Sequence, residues 1–372
     1  MGKQLVLIGG GHAHMVTLAG IGELVSRGHR VTVVGPSEYH YYSGMGPGML
    51  GGTYSPEEIR FATRQVVEKQ GGTFVLDYVT GIDPAAHRLT LASGTAIDYD
   101  VLSCNAGSQV PLSLAGEDRS DIFSVKPIEK LTQARSRILE LAGKGPLEIG
   151  IVGGGPSSAE IAGNILQLIG LQNSTPPRIR IFAGSSFMHR FPEPVRRRIR
   201  NNLRRRKVEI VEGSYVREVK TGSISLKNER NYRADLIFLA VGVKPSPIFG
   251  DSGLEVGPDG GLLVNRYLQS PNHPDIFGGG DCIYFREEPL DKVGVYAVRQ
   301  NPVLYHNLRA RLEGGALQPF ESGGEYLLIF NLGENRGVLH KGRLTFDGRL
   351  AFLIKDYIDR RFMRRFQALE SE

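Results

Sequence analysis

Cysteine is scarce in this chain, and its scarcity argues against whole classes of chemistry. The 372 residues include two cysteines, Cys104 and Cys282, which stand far apart in the sequence. They do not have the spacing of a redox-active disulfide or of a zinc site, so we predict neither. So few cysteines also favour a reducing compartment, and we therefore expect a cytoplasmic protein without a bound metal.

Long hydrophobic runs and a strong charge imbalance are missing as well. No apolar run approaches the roughly 20 residues that cross a bilayer. The first predicted strand begins at Leu5, which leaves no room for a signal peptide. The 45 lysines and arginines exceed the 39 aspartates and glutamates by only six. This mild excess suits an anionic cofactor but selects no partner by itself.

Glycine, in contrast, is abundant, with 48 residues. The run Leu5–Ile8 predicts a strand buried on both faces, and Gly9 and Gly11 follow it in a tight turn. A helical pattern then runs from Met15 to a stop near Gly28. A strand, a glycine turn and a helix N-terminus together bind a dinucleotide pyrophosphate, because backbone amides and the helix dipole face its negative charge.

A second copy of this pattern strengthens the prediction. The run Ile149–Val152 precedes Gly153 and Gly155, and another helical pattern begins at Pro156. Gly153 lies 144 positions after Gly9. Two such turns are hard to explain as chance bends, so the sequence predicts one dinucleotide site for each.

Each glycine turn is paired with a later buried strand that ends in small residues. Those endings are Ala106-Gly107 and Ala240-Val241-Gly242, and a third small-residue turn is Gly278-Gly279-Gly280. In this fold a carboxylate usually ends the second strand of each unit and binds the adenosine ribose. Gly35 and Ala183 occupy those positions here, so neither strand ends in a carboxylate, and Ser37, Glu38 or the backbone could take this role in the first unit.

The segment 195–207 is strongly basic. Val195, Ile199 and Leu203 are spaced by four, which predicts an amphipathic helix with one buried stripe. We interpret its arginines as a solvated face. The segment has no aromatic residues on which bases could stack, so we expect no nucleic-acid partner.

A second basic segment lies near the C-terminus. Ile354, Ile358 and Phe362 recur every four residues, with arginines around them. A segment of this kind can lie on the inner face of an anionic membrane. It can equally cover the first domain or form the face of a homodimer, and the sequence leaves these alternatives open.

Four stretches carry a family resemblance. They are Gly9-Gly10-Gly11-His12-Ala13-His14, Tyr42-Ser43-Gly44-Met45 with Pro47-Gly48, Gly294-Val295-Tyr296-Ala297-Val298-Arg299-Gln300, and Ile354-Lys355-Asp356-Tyr357-Ile358-Asp359-Arg360-Arg361-Phe362-Met363. The chain resembles the pyridine nucleotide-disulfide oxidoreductase superfamily, in the branch that holds type II NADH:quinone dehydrogenases and sulfide:quinone reductases. It looks closest to the flavoprotein associated with selenide, water dikinase.

The resemblance implies an α/β fold with two Rossmann-like dinucleotide-binding domains, of the glutathione-reductase-like kind, and a small C-terminal α+β region. The implied divisions are an FAD-binding domain in two parts, 1–125 and 255–324, an NAD(P)-binding domain, 126–254, and a C-terminal region with a basic amphipathic helix, 325–372.

The resemblance also implies FAD in the first domain and NAD(P)H in the second. Asp281 would bond the ribityl chain from a helix start, and the backbone near Val79 would meet the adenine. The candidate FAD contacts are Gly9, Gly11, His12, Ala13, Ser43, Val79, Ala106, Gly107 and Asp281, and the candidate NAD(P)H contacts are Gly153, Gly155, Glu160 and Gly242. Because no carboxylate follows Phe182, NADH and NADPH both stay open, as does a degenerate second site.

We predict that the aromatic segment 39–50 is a loop that lies along a flat aromatic ring. It contains no cysteine, and this absence disfavours thiol-based reductases. What remains is hydride transfer from NAD(P)H through FAD to a quinone-like or other small electron acceptor. Tyr296, Arg299 and Gln300 are the acceptor-side candidates, and Lys126 is a candidate charge near the flavin or the nicotinamide. The alternatives are a sulfide:quinone reductase-like enzyme, a flavoprotein of selenium metabolism, and a flavin-binding redox sensor.

Overall fold

Two five-stranded sheets form the frame of the protein. The structure, a computed structural model, describes residues 2–111, 113–115 and 120–371. Its α-helices are α1 (Met15–Ala19), α2 (Ile21–Ser26), α3 (Gly46–Leu50), α4 (Thr63–Lys69), α5 (Glu129–Ala142), α6 (Pro156–Leu171), α7 (Glu193–Arg205), α8 (Ile248–Asp251), α9 (Gly294–Glu313) and α10 (Arg349–Ser371). Short 3-10 turns cover His12–His14, Ser43–Met45, Glu57–Ile59 and Gly280–Cys282.

The strands follow the same chain order. In the first half they are β1 (Gln4–Ile8), β2 (Arg30–Gly35), β3 (His40–Tyr41), β4 (Arg60–Phe61), β5 (Thr73–Leu76), β6 (Val79–Asp83), β7 (Arg88–Leu91), β8 (Ala96–Asp98), β9 (Val101–Cys104), β10 (Ser108–Gln109), β11 (Ile122–Ser124), β12 (Glu148–Val152) and β13 (Arg178–Phe182). In the second half they are β14 (Glu209–Val211), β15 (Val216–Lys220), β16 (Ser223–Leu226), β17 (Asn231–Arg233), β18 (Leu236–Leu239), β19 (Lys244–Pro245), β20 (Leu262–Val264), β21 (Ile276–Gly278), β22 (Ile283–Phe285), β23 (Leu328–Asn331), β24 (Gly337–Lys341) and β25 (Leu344–Gly348).

The first sheet has the order β21–β9–β1–β2–β5, with every pair parallel. Its strands are apolar because both faces are covered, and Leu5, Leu102 and Phe277 are fully buried. From β1 the chain continues to β2 on one side, and β9 is added on the other. Ligands bind in open α/β sheets at such a reversal, beyond the carboxyl ends of the strands.

The second sheet repeats this plan in the order β11–β18–β12–β13–β14, again with every pair parallel. β12 takes the place of β1, so the second glycine turn also stands at a reversal of strand order. The chain returns to the first sheet only at β21, after the second sheet is complete. The predicted α/β fold with two Rossmann-like units is confirmed, while the residue boundaries of the domains stay a prediction.

The C-terminal region combines the antiparallel sheet β23–β24–β25 with the helix α10. This region contacts both halves of the protein. Arg206 of the second half donates to the carbonyls of Leu332 and Gly163, and Gln367 of α10 donates to the carbonyl of Arg60 at 2.9 Å. Within the part of the chain that the structure describes, no helix has both the length and the apolarity to cross a bilayer.

The first helix differs from its prediction as one continuous element up to Gly28. It is divided at Gly20 into α1 and α2. Gly20 packs against α9, because a Cβ there would lie 2.6 Å from the ring of Tyr305. The sequence pattern of one helix could not show a side chain that arrives from 285 positions later.

Gly163→Ala should destabilise the fold, because its added methyl would lie 2.2 Å from the carbonyl oxygen of Leu332. We expect a loss of about 1–3 kcal/mol in the free energy of unfolding, measured by urea denaturation. Gly170→Ala is the matched control on the same helix, since nothing lies within 4 Å of its added methyl. Helix propensity should stabilise that variant by up to about 1 kcal/mol. Equal effects of the two substitutions would contradict the packing of α6 on the C-terminal region.

Candidate functional site

Three turns meet at the carboxyl edge of the first sheet, after β1, β9 and β21. The Asn105 N–H donates to the Ile8 carbonyl at 2.8 Å, and the Gly279 N–H donates to the Cys104 carbonyl at 2.9 Å. A Cβ at Gly279 would lie 2.8 Å from the methyl group of Ala13, so the first helical turn packs on the third turn. We call this site the first cradle, formed by Gly9–Ala13, Asn105–Gly107 and Gly279–Asp281.

Glycine is required where the cradle brings backbone against backbone. Gly9 has a φ of +84°, and a Cβ there would lie 2.4 Å from the Asn105 carbonyl oxygen. At Gly11 the closest atom to an added Cβ is the Nδ2 of Asn105, at 2.8 Å. The two glycines therefore let the first turn lie directly on the second turn.

Asn105 is the cradle residue that motif reasoning did not select. Its side chain is buried, and its Nδ2 donor has no hydrogen-bond partner among the described residues. A buried donor without an acceptor costs about 1–3 kcal/mol, so it indicates an acceptor that a ligand supplies. FAD carries many such acceptors, so the cradle fits this group. The available signal was a polar side chain at the end of an otherwise apolar strand.

The two histidines of the glycine turn have different surroundings. His14 is fully buried, with Nδ1 2.6 Å from the Gly9 carbonyl oxygen and Nε2 2.8 Å from the Ser103 hydroxyl. Burial lowers the pKa of His14 to about 4, so the neutral ring fastens the turn to β9. His12 Nδ1 lies 3.1 Å from Nε2 of His40, while His12 Nε2 has no partner among the described residues. Burial, then the charge of His40, lowers the pKa of His12.

An ion pair borders the first cradle. Asp281 lies 2.8 Å from the Nζ of Lys126 and accepts a hydrogen bond from the Ser108 hydroxyl at 2.7 Å. Burial opposes ionisation of Asp281, but the Lys126 charge and the hydrogen bonds from Lys126 and Ser108 together lower the pKa of the carboxyl. No α-helix begins at Asp281, since it lies in a single 3-10 turn and α9 starts at Gly294. Lys126, rather than a helix dipole, therefore stabilises this carboxylate.

The aromatic segment 39–50 is mostly regular structure instead of the predicted loop. It contains β3, the 3-10 turn that begins at Ser43, and α3. The ring centroid of Tyr42 lies 5.1 Å from that of His12, and the Tyr42 hydroxyl donates to Asp359 at 3.0 Å. The segment therefore connects the first cradle to α10.

Three further FAD candidates are Val79, Ala106 and Gly107, of which the last two lie at the rim of the first cradle. Val79 is the partly buried first residue of β6, next to the exposed Tyr78. Ala106 is exposed, and Gly107 has a φ of +67° with nothing within 4 Å of an added Cβ. This part of the rim therefore leaves room beside the backbone for a ligand.

The second sheet builds an equivalent site. Gly153 has a φ of +134°, and a Cβ there would lie 2.1 Å from the Ala240 carbonyl oxygen. In contrast, nothing lies within 4 Å of an added Cβ at Gly155 or at Gly242. We call this site the second cradle, formed by Gly153–Gly155, Ala183–Ser186 and Gly242. The space beside Gly155, the N-cap of α6, suits a pyrophosphate.

Glu160 faces the C-terminal region from the first turns of α6. It accepts a hydrogen bond from the Asn331 N–H at 2.8 Å. Burial raises the pKa of Glu160 to about 7, although the Lys355 charge opposes this rise. Lys355 in turn donates to Asp359 at 2.8 Å. We call Tyr42, Glu160, Lys355 and Asp359 the polar cluster, and it connects the two cradles through the C-terminal helix.

The three acceptor-side candidates lie in the first turns of α9. Tyr296 and Gln300 line one small cavity beside the first cradle. Gln300 also accepts a hydrogen bond from the Gly280 N–H at 2.7 Å. The Arg299 guanidinium lies 5.9 Å from the ring centroid of Tyr296, and it donates to the Gly324 carbonyl at 3.0 Å, which holds the segment before β23. The roles of all three residues stay predictions.

Both cysteines lie in the core. Burial raises the pKa of Cys282 to about 11 and raises that of Cys104 as well. The Cys282 thiol donates to the Cys104 carbonyl at 3.3 Å. In residues 2–111, 113–115 and 120–371, no group of three or more histidine, cysteine or acidic side chains is placed to hold a metal ion.

Comparison with known proteins agrees with this geometry. Residues 3–307 match the family described as pyridine nucleotide-disulphide oxidoreductase. The type II NADH:quinone oxidoreductase of Staphylococcus saprophyticus is 24% identical over 96% of this chain and 94% of its own length. The family predicted from the sequence motifs is therefore confirmed.

Solved structures share the fold over the whole chain. The sulfide:quinone oxidoreductase of Aquifex aeolicus superposes with a TM-score of 0.79 and 18% identity, over 99% of this chain and 92% of its own. The NDH2 of Plasmodium falciparum in complex with NADH superposes with a TM-score of 0.82 and 14% identity, over 100% of this chain and 98% of its own. The finer resemblance to the dikinase-associated flavoprotein stays a prediction.

Glu160→Gln should flatten the dependence of stability on pH. The carboxyl titrates near 4.5 when unfolded and near about 7 when folded. The native protein therefore loses stability as pH rises through this window, by up to about 3 kcal/mol at ~1.4 kcal/mol per pKa unit. Unfolding free energies measured from pH 5 to 8 should fall less in the variant than in the wild type. Glu321→Gln, at an exposed site, is the control, and an undiminished fall in Glu160→Gln would contradict the burial.

Proposed function

The chain belongs to the pyridine nucleotide-disulphide oxidoreductase family, and we propose that it passes electrons from NAD(P)H through FAD to a quinone-like acceptor. The observation that carries the proposal is a pair of glycine cradles, each at a strand-order reversal, connected by a partly buried polar cluster. The similarity to a type II NADH:quinone oxidoreductase over nearly the full length supports a quinone as the acceptor.

The first cradle suits FAD, and the second suits NAD(P)H. Bound FAD would supply the ring that accepts a hydride from the nicotinamide and returns two electrons to an acceptor. The backbone amides that follow Gly9 would hold the pyrophosphate of bound FAD, and the unpaired Nδ2 of Asn105 would be a further donor. Asp281, which Lys126 keeps ionised, can accept hydrogen bonds from the ribityl hydroxyls.

The polar cluster can supply or take up a proton. Reduction of a quinone to a quinol consumes one proton in addition to a hydride. Glu160, with a pKa near about 7, exchanges its proton at neutral pH. Lys355 and Asp359 balance each other's charge at 2.8 Å, so the cluster tolerates either state of Glu160.

The buried thiols favour hydride transfer over thiol chemistry. A thiolate, not a thiol, is the nucleophile of disulfide exchange, and burial raises the pKa of both Cys104 and Cys282. The aromatic segment beside the first cradle contains no cysteine. These facts argue against the sulfide-oxidising alternative for this chain.

We further propose that α10 contacts an anionic membrane surface. Leu350, Leu353 and Tyr357 are spaced by three and four, so they share one helix face, and each is 48–62% exposed. Leu344 on the neighbouring strand β25 is 59% exposed. Exposed basic residues surround this apolar stripe, namely Lys341, Arg343, Arg349 and Arg361. Apolar side chains flanked by arginine and lysine are the combination that binds anionic lipid.

The exposed stripe differs in part from the predicted Ile354, Ile358 and Phe362, of which Ile358 is 41% exposed. Phe362 is directed inward, with its ring centroid 5.7 Å from that of His12. Lys355 and Asp359 lie on the same inner face, because the bond from Tyr42 to Asp359 holds that side of α10 against the protein. The face directed outward therefore begins at Leu350. A homodimer stays a prediction.

Cys104→Ala combined with Cys282→Ala should leave electron transfer intact. Anaerobic NADH or NADPH should bleach the flavin absorbance of the double variant, and a soluble quinone should restore it, at rates within about twofold of wild type. A thermal melt checks that both proteins are folded. Bleaching by sulfide but by neither coenzyme, or loss of turnover in a folded, flavin-loaded double variant, would refute hydride transfer without thiols.

Leu350→Ser with Leu353→Ser should weaken membrane binding. Vesicles of phosphatidylglycerol and phosphatidylcholine should sediment the wild-type protein, and the variant should bind about tenfold less tightly, because apolar area is lost from the stripe. Leu171→Ser removes an equally exposed leucine from α6 and should have no effect. Binding that is the same for all three proteins, or that ignores the anionic lipid, would exclude this surface.

A further inference from the structure

The second cradle lacks a carboxylate at its adenosine end. In this fold the pyrophosphate lies at the glycine turn, and the adenosine ribose lies over the end of the next strand, where a carboxylate binds its hydroxyls. The next strand here is β13, which ends at Phe182 and continues into Ala183, Gly184 and Ser185. The position that decides between NADH and NADPH is therefore occupied by small and hydroxyl-bearing residues.

The nearby carboxylate of Glu212 cannot take its place. Arg200 donates to both of its oxygens, at 2.6 and 2.8 Å, and the Phe187 N–H donates to one of them at 2.7 Å. The Arg200 bonds, helped by Phe187, lower the pKa of Glu212 to about 2. Glu193, at the start of α7, pairs with Arg196 at 3.6 Å. Both carboxylates are thus engaged by arginines of α7.

A turn with two exposed basic residues is hydrogen-bonded to the glycine turn of the second cradle. The Met188 N–H donates to the Gly154 carbonyl at 2.7 Å, and His189 and Arg190 follow it with exposed side chains. Gly154 also borders the end of β13, because an added Cβ there would lie 2.7 Å from the Ala183 carbonyl oxygen. The basic turn and the end of β13 therefore adjoin the same glycine.

An exposed aromatic ring borders the same strand end. A Cβ at Gly184 would lie 2.8 Å from the ring of Tyr215, which is 57% exposed. The Nζ of Lys227 lies 5.9 Å from the centroid of this ring. A tyrosine in this position offers a face for adenine, and the lysine adds a second positive charge.

We propose that the adenosine end of the second cradle is a 2′-phosphate site, so that the protein prefers NADPH to NADH. Ser185, Ser186 and Arg190 bind the phosphate, and Tyr215 stacks on the adenine. The inference rests on the proposed function for the assignment of NAD(P)H to this cradle, and it adds the choice of coenzyme.

The charges explain the preference. A phosphate dianion needs cations and hydroxyl donors and is repelled by a free carboxylate, and Arg190 provides a planar donor suited to phosphate. NADH would leave Arg190 without a partner and would find no carboxylate for its ribose hydroxyls. The site therefore binds NADH more weakly than a site in which a carboxylate binds the ribose hydroxyls.

Calorimetric titration of the purified flavoprotein with adenosine phosphates tests the site without electron transfer. We expect 2′,5′-ADP to bind at least about tenfold more tightly than 5′-AMP, because of the charge-assisted bonds to its 2′-phosphate. The isomer 3′,5′-ADP carries the same charge in the phosphoadenosine arrangement of coenzyme A, and it should bind less tightly than 2′,5′-ADP. Added salt should reduce the advantage of 2′,5′-ADP.

Two variants and one control locate the effect. Arg190→Ala should remove about tenfold of the affinity for 2′,5′-ADP and leave that for 5′-AMP unchanged. Ser185→Asp should reverse the preference, since a carboxylate repels the phosphate and binds the ribose hydroxyls. Arg197→Ala, on the exposed face of α7, removes the same charge and should leave the ratio of affinities unaltered.

The outcomes separate this inference from the proposed function. Equal affinities for the three ligands, no binding of any of them, or an unchanged ratio in Arg190→Ala would overturn the phosphate site. If NADH and NADPH bleach the flavin equally well, the proposed function stands and the preference for NADPH is refuted. If 2′,5′-ADP binds tightly and neither coenzyme bleaches the flavin, the inference stands and the proposed function falls.

Discussion

The whole arrangement depends on backbone contacts that glycine alone permits at the end of each central strand. Gly9 lies on the Asn105 carbonyl and Gly153 lies on the Ala240 carbonyl, at distances that exclude a side chain. Because of these contacts, the turns of adjacent strands pack side by side and leave their amides facing outward. A larger residue at either position would separate the turns and remove the cradle, whatever the rest of the sheet did.

The C-terminal region makes the two cradles parts of one site. Its helix α10 supplies Lys355 and Asp359, which reach Tyr42 beside the first cradle and the surroundings of Glu160 beside the second. Groups that water would normally solvate are paired there at low dielectric, so each is held in place by the others. The outer face of α10 is apolar and flanked by lysine and arginine. The inner face of this helix is therefore directed at the cradles, and its outer face at the proposed membrane surface.

Local patterns predicted the elements that depend on near neighbours. The apolar runs around Leu5 and Ile149 predicted central strands because parallel strands are buried on both faces. The glycine turns identified both cradles, and the motifs identified the family. The patterns failed where contacts between distant residues matter. The ring of Tyr305 packs against Gly20, and the ring of Phe362 in α10 lies against His12. The polar Asn105 follows a buried strand, but only the folded structure shows that its Nδ2 donor is unpaired.

The sequence by itself determined the two dinucleotide-binding units, the absence of a closely spaced cysteine pair and the missing carboxylate at Ala183, because each depends on residue type and local spacing. Only the tertiary structure decided which charged groups are free. In the folded chain Glu212 bonds to Arg200, Asp281 pairs with Lys126, and Glu160 accepts a hydrogen bond from the C-terminal strand β23. The reason is that burial and ion pairing depend on which distant segments pack together, and these forces set the charge that each side chain presents to a ligand.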